Sequence, residues 1–162
     1  MHIKRRAEFR IRRASIDDAD QILICLRLAF AQYRNEYTPA GFADTVLSAE
    51  TIGERLRRMC VFVTEDDEGE IVGTVGCNLI SKDEGHIRGM AVLPSWQGRG
   101  VAEELLRAAE NELREKNCKR VTLDTTAPLK RAIKFYERNG YHASGKIDDF
   151  FGMKLFEYVK EL

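Results

Sequence analysis

Gln97-Gly98-Arg99-Gly100-Val101-Ala102 is the stretch of this chain whose residue types best suit a bound ligand. Two glycines separated by one residue can take positive φ and let the backbone approach a bound group closely. A long amphipathic stretch follows, so the first N–H groups of a helix starting near Arg99 have no partner within that helix and point outward. Those donors, with the positive end of the helix dipole, suit a pyrophosphate. Arg99 adds charge to the set. The apolar run Met90-Ala91-Val92-Leu93 ends at Pro94, and Trp96 stands between strand and turn, placed either to cover a ligand or to pack beneath the turn.

The spacing Gln97-x-x-Gly100-x-Ala102 resembles the acetyl-coenzyme A signature of the GNAT N-acetyltransferases, and Met90-Ala91-Val92-Leu93-Pro94 resembles the strand that precedes it in that family. Ala132-Ile133-Lys134-Phe135-Tyr136-Glu137-Arg138-Asn139-Gly140-Tyr141 resembles the family's later helix segment, in the right order. Leu129 stands three positions before Ala132, where the family often has an asparagine, so that side-chain contact to coenzyme A is not implied here. The match is strong over residues 86–141 and rests on element order alone before that.

The resemblance implies acetyl transfer from acetyl-coenzyme A directly to a primary amine of a small molecule or protein. It also implies a strand that splays from its neighbour, so that backbone groups of Met90, Ala91 and Val92 hold the pantetheine arm as an added strand would. An N–H near Met90 would then stabilise the developing oxyanion. Gln97 to Ala102 would take the pyrophosphate. Tyr136 aligns with the family's general acid, and a phenol with pKa about 10 is protonated at neutral pH and can donate to the leaving thiolate. His86 is the leading base, because an imidazole is matched to neutral pH and some relatives carry an acid–base residue there. Strand alternation puts His86 on the same side as Arg88 and Met90, provided no bulge near Gly89 shifts the phase. Glu84 and Asp124 are rival bases, acting directly or through water. By analogy the acceptor lies between residues 33–42, residues 84–90 and the segment Asp148-Asp149-Phe150-Phe151. There the two aspartates would attract an amine, and Tyr37 and Phe150 would line an apolar slot.

The elements that must position these groups follow from periodicity. Residues 9–14 alternate as a strand, and Ser15 with Asp18 forms a capping box before a helix whose face carries Ile22, Leu23, Leu26, Phe30 and Tyr33. Residues 34–41 break that helix. A second helix starts near Ser48 or Thr51 and reaches about Met59. Strands over 61–64 and 70–80 join through the acidic glycine-containing turn 65–69 as a hairpin. A strand over 85–93, a helix over 100–116 and a strand over 120–125 follow. A helix with Pro128 in its first turn then stops at Asn139-Gly140, and strands near 143–148 and 153–159 close the chain. The order predicts an α/β fold (α+β mixed), a central mixed, mostly antiparallel sheet of six to seven strands with helices on both faces. That is the acyl-coenzyme A N-acyltransferase fold the resemblance implies.

The chain has 162 residues and no linker or repeat, which predicts one domain over 1–162. Lys plus Arg and Asp plus Glu both number 26, so nothing in the balance suggests a nucleic-acid partner. The basic start has no apolar core of a leader and no run has membrane-spanning length, which predicts a soluble cytoplasmic protein with no membrane contact. Cys25, Cys60, Cys77 and Cys118 lack CxxC spacing and sit among apolar neighbours, so buried reduced thiols are expected and no metal. The closing aromatics Phe150, Phe151, Phe156 and Tyr158 serve either a homodimer contact or the core. A dinucleotide-binding unit is disfavoured, because Glu103 occupies the third glycine position and Pro94 to Gln97 intervene between strand and turn. The remaining alternative is a non-catalytic acyl-coenzyme A sensor of the same fold.

Overall fold

The computed structural model describes residues 9–162; the basic start, with His2, lies outside the described residues. The chain runs β1 (Phe9–Arg13), α1 (Ala19–Phe30), α2 (Pro39–Val46), α3 (Ala49–Arg58), β2 (Cys60–Asp66), β3 (Ile71–Leu79) and β4 (Glu84–Val92). It continues as α4 (Val101–Glu115), β5 (Arg120–Thr126), α5 (Lys130–Arg138), β6 (His142–Phe150) and β7 (Met153–Glu161). The strands form one seven-stranded sheet in the order β1-β2-β3-β4-β5-β7-β6. Every pair is antiparallel except β4 with β5. The mixed, mostly antiparallel sheet with helices on both faces is the architecture the sequence predicts.

Both faces of the sheet are buried. On one, α1 and α3 place Ile22, Leu26 and Ile52 against Val61, Val63 and Ala91. On the other, α4 and α5 place Leu105, Leu113 and Phe135 against Val75, Ile87 and Leu123. β3 is accordingly buried on both sides rather than alternately, with residues 71–77 all buried.

The structure departs from the sequence reading at two places in the framework. Residues 39–46, read as part of or following a break, form α2: Thr38 accepts a hydrogen bond from the Gly41 N–H at 3.2 Å and Pro39 occupies the first helical position. Of the two starts the sequence offers, Ser48 caps α3, with Thr51 as its reciprocal partner. Pro128 lies outside α5, whose first residue is Lys130, because Leu129 has non-helical dihedrals.

β4 and β5 pair over four residues only, from Glu84 opposite Arg120 to Ile87 opposite Leu123. The cause sits in β4. Thr74 faces Ala91 whereas Gly76 faces Arg88, so two steps along β3 span three along β4 and a bulge forms at Gly89, which takes φ +68°. β5 meanwhile continues in register with β7 as far as Thr126 opposite Leu155. The ends of β4 and β5 diverge, and a cleft opens between them.

One buried ionic group ties the far side of this cleft. Glu110 of α4 accepts from Lys160 Nζ at 2.8 Å and from the Tyr141 hydroxyl at 3.2 Å. Glu110→Ala leaves a cation and a phenol without their partner, and is expected to lower stability by about 1–3 kcal/mol. For a chain of this size each kcal/mol corresponds to about 2–4 °C, which a thermal melt of the variant reads directly.

Candidate active site

The glycine turn behaves as its sequence demands. A single 3₁₀ turn over Pro94–Trp96 ends β4, Gly98 and Gly100 take φ +78° and +87°, and α4 begins at Val101 with no side chain capping it. A Cβ at either glycine would meet nothing, so it is the backbone conformation that demands glycine and not the space. The free N–H groups at the start of α4 therefore face solvent beside the cleft. Gln97 braces the turn: its Nε2 donates to the Val92 carbonyl at 3.3 Å and its Oε1 accepts from Arg131 at 2.9 Å. Trp96 packs edge-on to Phe9, and the Arg99 guanidinium lies 4.6 Å from the Trp96 ring centre. Arg99 is thus stacked on the indole, while Arg131 lines the cleft.

The cleft has a volume of about 520 Å³ and runs between the splayed strands. Met90, Ala91, Val92, Gln97, Gly98, Gly100, Val101, Ala102, His86 and Tyr136 all line it. The bulge corrects one expectation. Ile87 and Val92 both belong to the α4 face although five residues separate them, and Ala91 belongs to the α1 face. The phase shifts at Gly89, so Met90 faces the α4 side while His86 shares the opposite side with Arg88. His86 and Tyr136 approach the cleft from opposite faces of the sheet.

His86 is the centre of a polar group. Its Nδ1 lies 2.8 Å from the Thr122 hydroxyl, which lies 3.4 Å from the Gly85 carbonyl; its Nε2 is 3.7 Å from Asp124 Oδ2. When the threonine gives its proton to the carbonyl, Nδ1 must donate to the hydroxyl oxygen, which leaves the Nε2 lone pair free. Burial pushes the imidazole below its ordinary value, against the opposing pull of Asp124. Burial also raises the Asp124 carboxyl, against the opposing pull of His86. The 3.7 Å gap is too long for a hydrogen bond and admits a shared third atom. Glu84, the other rival base, does not line the cleft; it lies 3.8 Å from Arg120.

Tyr136 is buried against Phe135 and Tyr141, with ring centres 5.4 and 5.9 Å away. Burial raises its phenol well above the ordinary value, which keeps the proton on oxygen at any working pH. Among the described residues only the Thr64 and Thr125 hydroxyls are fully enclosed without a partner.

Away from the glycine turn, Tyr37 and Phe150 line the cleft as the sequence reading expects, and Phe30 and Tyr33 line it with them. The Tyr37 hydroxyl is 2.7 Å from that of Thr126, joining the α1–α2 connection to β5. Asp148 and Asp149 do not reach the cleft; they lie exposed on β6. The acidic group there is Asp44 of α2, 3.9 Å from Arg88, with Arg55 of α3 beside them. Sequence reading missed this trio, because α2 went unseen and Arg55 lies among charged residues at 54, 55, 57 and 58 that read as one solvated face. Thr122 was also missed; the only signal was its place two residues before Asp124 on β5.

All four cysteines are free and buried. Burial pushes the Cys25 and Cys77 thiols up to about 12. Iodoacetamide is therefore expected to leave the thiols of the native protein unmodified, which intact-mass analysis reads directly.

The sequence profile of the Acetyltransferase (GNAT) family matches residues 24–141, which is well over half of the chain. The chain belongs to the GNAT acetyltransferase family. Among curated relatives, the uncharacterized N-acetyltransferase YjgM of Escherichia coli K12 is 40% identical over 77 residues, covering 46% of each chain. The N-alpha-acetyltransferase MAK3 of Arabidopsis thaliana is 30% identical over 94 residues, covering 55% of this chain and 50% of its own. The matched stretch thus spans about half the length of these curated relatives. Among solved structures, the PaiA N-acetyltransferase of Thermoplasma acidophilum, in complex with coenzyme A, superposes with TM-score 0.78 at 17% identity over 96% of this chain and 99% of that one. A GNAT-family acetyltransferase of Staphylococcus aureus Mu50 gives 0.77 at 17% identity over 95% and 99%. At these identities the superpositions establish that this GNAT chain shares the fold.

Proposed function

We propose that this GNAT protein transfers an acetyl group from acetyl-coenzyme A directly to a primary amine within a ternary complex. The observation that carries the reading is the four-residue β4–β5 ladder. Beyond it the backbone of residues 88–92 is free on the β5 side, with the glycine turn at one end of the opening and His86 near the other. A pantetheine arm lies there as a short added strand, and the pyrophosphate meets the N–H groups of residues 98–102. The PaiA relative solved with coenzyme A has the same fold, which supports this placement.

The chemistry then balances with the side chains present. His86 Nε2, with Asp124 beside it, takes a proton from the bound ammonium and frees the nitrogen lone pair. The amine attacks the thioester carbonyl, and a backbone N–H near Met90 stabilises the oxyanion. On collapse the C–N bond stays, the C–S bond breaks, the Tyr136 hydroxyl gives its proton to the departing sulfur, and the second proton of the attacking nitrogen leaves to solvent, from which the tyrosinate is reprotonated. No acyl-enzyme is formed.

Among the described residues no helix is long and apolar enough to cross a membrane, and the free buried thiols suit a reducing compartment. Both support a cytoplasmic setting. A homodimer contact would use β6, a sheet-edge strand whose residues 142–149 are exposed.

Calorimetric titration with acetyl-coenzyme A and, in parallel, with NADH tests the binding step. Saturable heat with acetyl-coenzyme A alone supports the reading. Binding without turnover of any amine would favour a sensor, and no binding would remove the acyl-transfer reading altogether.

A further inference from the structure

Among the described residues the Arg55 guanidinium has no partner, in a place where one is needed. It reaches from α3 to the β4 bulge, where its Nη1 lies 2.5 Å from where a Cβ at Gly89 would sit. Glycine at 89 therefore meets two demands, a positive φ and room for the guanidinium. Asp44, the carboxylate that acts on it, pairs with Arg88 at 3.9 Å instead, and no hydrogen bond or ion pair joins the Arg55 guanidinium to any described residue. Burial accordingly lowers its guanidinium to about 10, with Arg88 pushing the same way and Asp44 opposing. A half-buried, uncompensated cation is costly unless something brings it an anion.

That anion is not coenzyme A's pyrophosphate. Arg55 comes from the α1–α3 side of the sheet, whereas the glycine turn opens α4 on the other side. The groups that face it are Arg88 and Asp44, with His86 two residues further along β4 on the same side and Asp124 beyond, and the aromatic wall of Phe30, Tyr33, Tyr37 and Phe150. Gly89, where the Arg55 fork stands, is three residues from His86 along β4, about 10 Å. A short ligand with a nitrogen at one end and an anion at the other spans that distance. A guanidinium fork matches a carboxylate in two parallel hydrogen bonds.

We propose that the acceptor is an amine that also carries a carboxylate, an α-amino acid or a short amino-carboxylic acid, seated with its carboxylate on Arg55 and its nitrogen toward His86. The proposal rests on the acetyl-transfer reading and deepens it. Asp44 pairs with Arg88 and leaves Arg55 as the free fork, so these three side chains together carry one net positive charge for one ligand anion.

The test is thiol release at saturating acetyl-coenzyme A over the common L-amino acids and 4-aminobutyrate, each with its amide and its decarboxylated amine, and over O-phosphoethanolamine. The expected result is an accepted amino acid whose kcat/KM exceeds that of its own amide by about tenfold or more. In Arg55→Gln this preference collapses toward one, and Arg55→Lys, which keeps the charge but not the fork, falls between. Titration of each variant with acetyl-coenzyme A checks that it is folded. The proposal is overturned by preference for the amides, the decarboxylated amines or phosphoethanolamine. Equal loss on acid and amide in Arg55→Gln, or no turnover of any amino acid by a protein that binds acetyl-coenzyme A, overturns it as well. Failure to bind acetyl-coenzyme A would instead overturn the transfer reading on which it stands.

Discussion

Tyr136→Phe is expected to lower kcat by about 10²–10⁴-fold while leaving acetyl-coenzyme A affinity nearly unchanged. The ring is held by edge contacts to Phe135 and Tyr141, at 5.4 and 5.9 Å, that phenylalanine keeps. The substitution removes one oxygen from the edge of the cleft and leaves the packing alone. Because burial raises the phenol far above neutrality, the oxygen carries a proton throughout the working range and serves as a donor, not a base. The loss therefore falls on the step in which the thiolate departs. Steady-state kinetics beside a calorimetric titration separates the two effects: a fall in affinity with kcat intact would make Tyr136 a wall of the cleft and nothing more.

His86→Ala is expected to lower kcat/KM at pH 7 by about 10²-fold or more and to reshape the acid limb of the pH profile. The sign follows from burial. The imidazole sits below its ordinary value, so Nε2 is unprotonated at neutral pH and stays available as the solution is made mildly acidic. Activity of the wild type should then be lost only as pH falls through that depressed value, below about 6.5. The variant loses this limb, leaving a shallower dependence set by the amine and by Asp124, whose carboxyl burial raises. Asp124→Asn should move the limb to lower pH, since it removes the charge that favours the imidazolium. A profile identical in wild type and His86→Ala would exclude His86 as the base.

The framework was legible because periodicity is a local property. Ile22, Leu23 and Leu26 on α1 announced their buried face through spacing alone, and the structure buries all three, while Phe30 and Tyr33, read on the same face, line the cleft instead. The glycine turn was legible for the same reason: Gly98 and Gly100 are needed for their own dihedral angles, whatever surrounds them. Helix α2 was hidden because Thr38-Pro39-Ala40-Gly41 is composed of turn residues. A cap and an N1 proline are also how a helix begins, and eight residues are too few to show a period.

The site divides along the same line. His86 and Tyr136 could be named from residue type and motif, but their arrangement depends on the Gly89 bulge, which is a matter of register between two strands. Register is decided by the partner strand and cannot be counted along one. The Asp44, Arg55 and Arg88 group is further still from the sequence, being assembled by two helices and a strand. Asp148 and Asp149 were attractive by charge, yet strand β6 at the sheet edge points them to solvent.

Acetyl transfer in a ternary complex is tested most directly by amine-dependent thiol release. Purified protein with acetyl-coenzyme A and an amine panel, followed by mass analysis of both products, should yield one N-acetyl amine per thiol released and an unmodified protein chain. Thiol release that is independent of any amine, or an acetylated protein formed as an intermediate on the way to product, would contradict it.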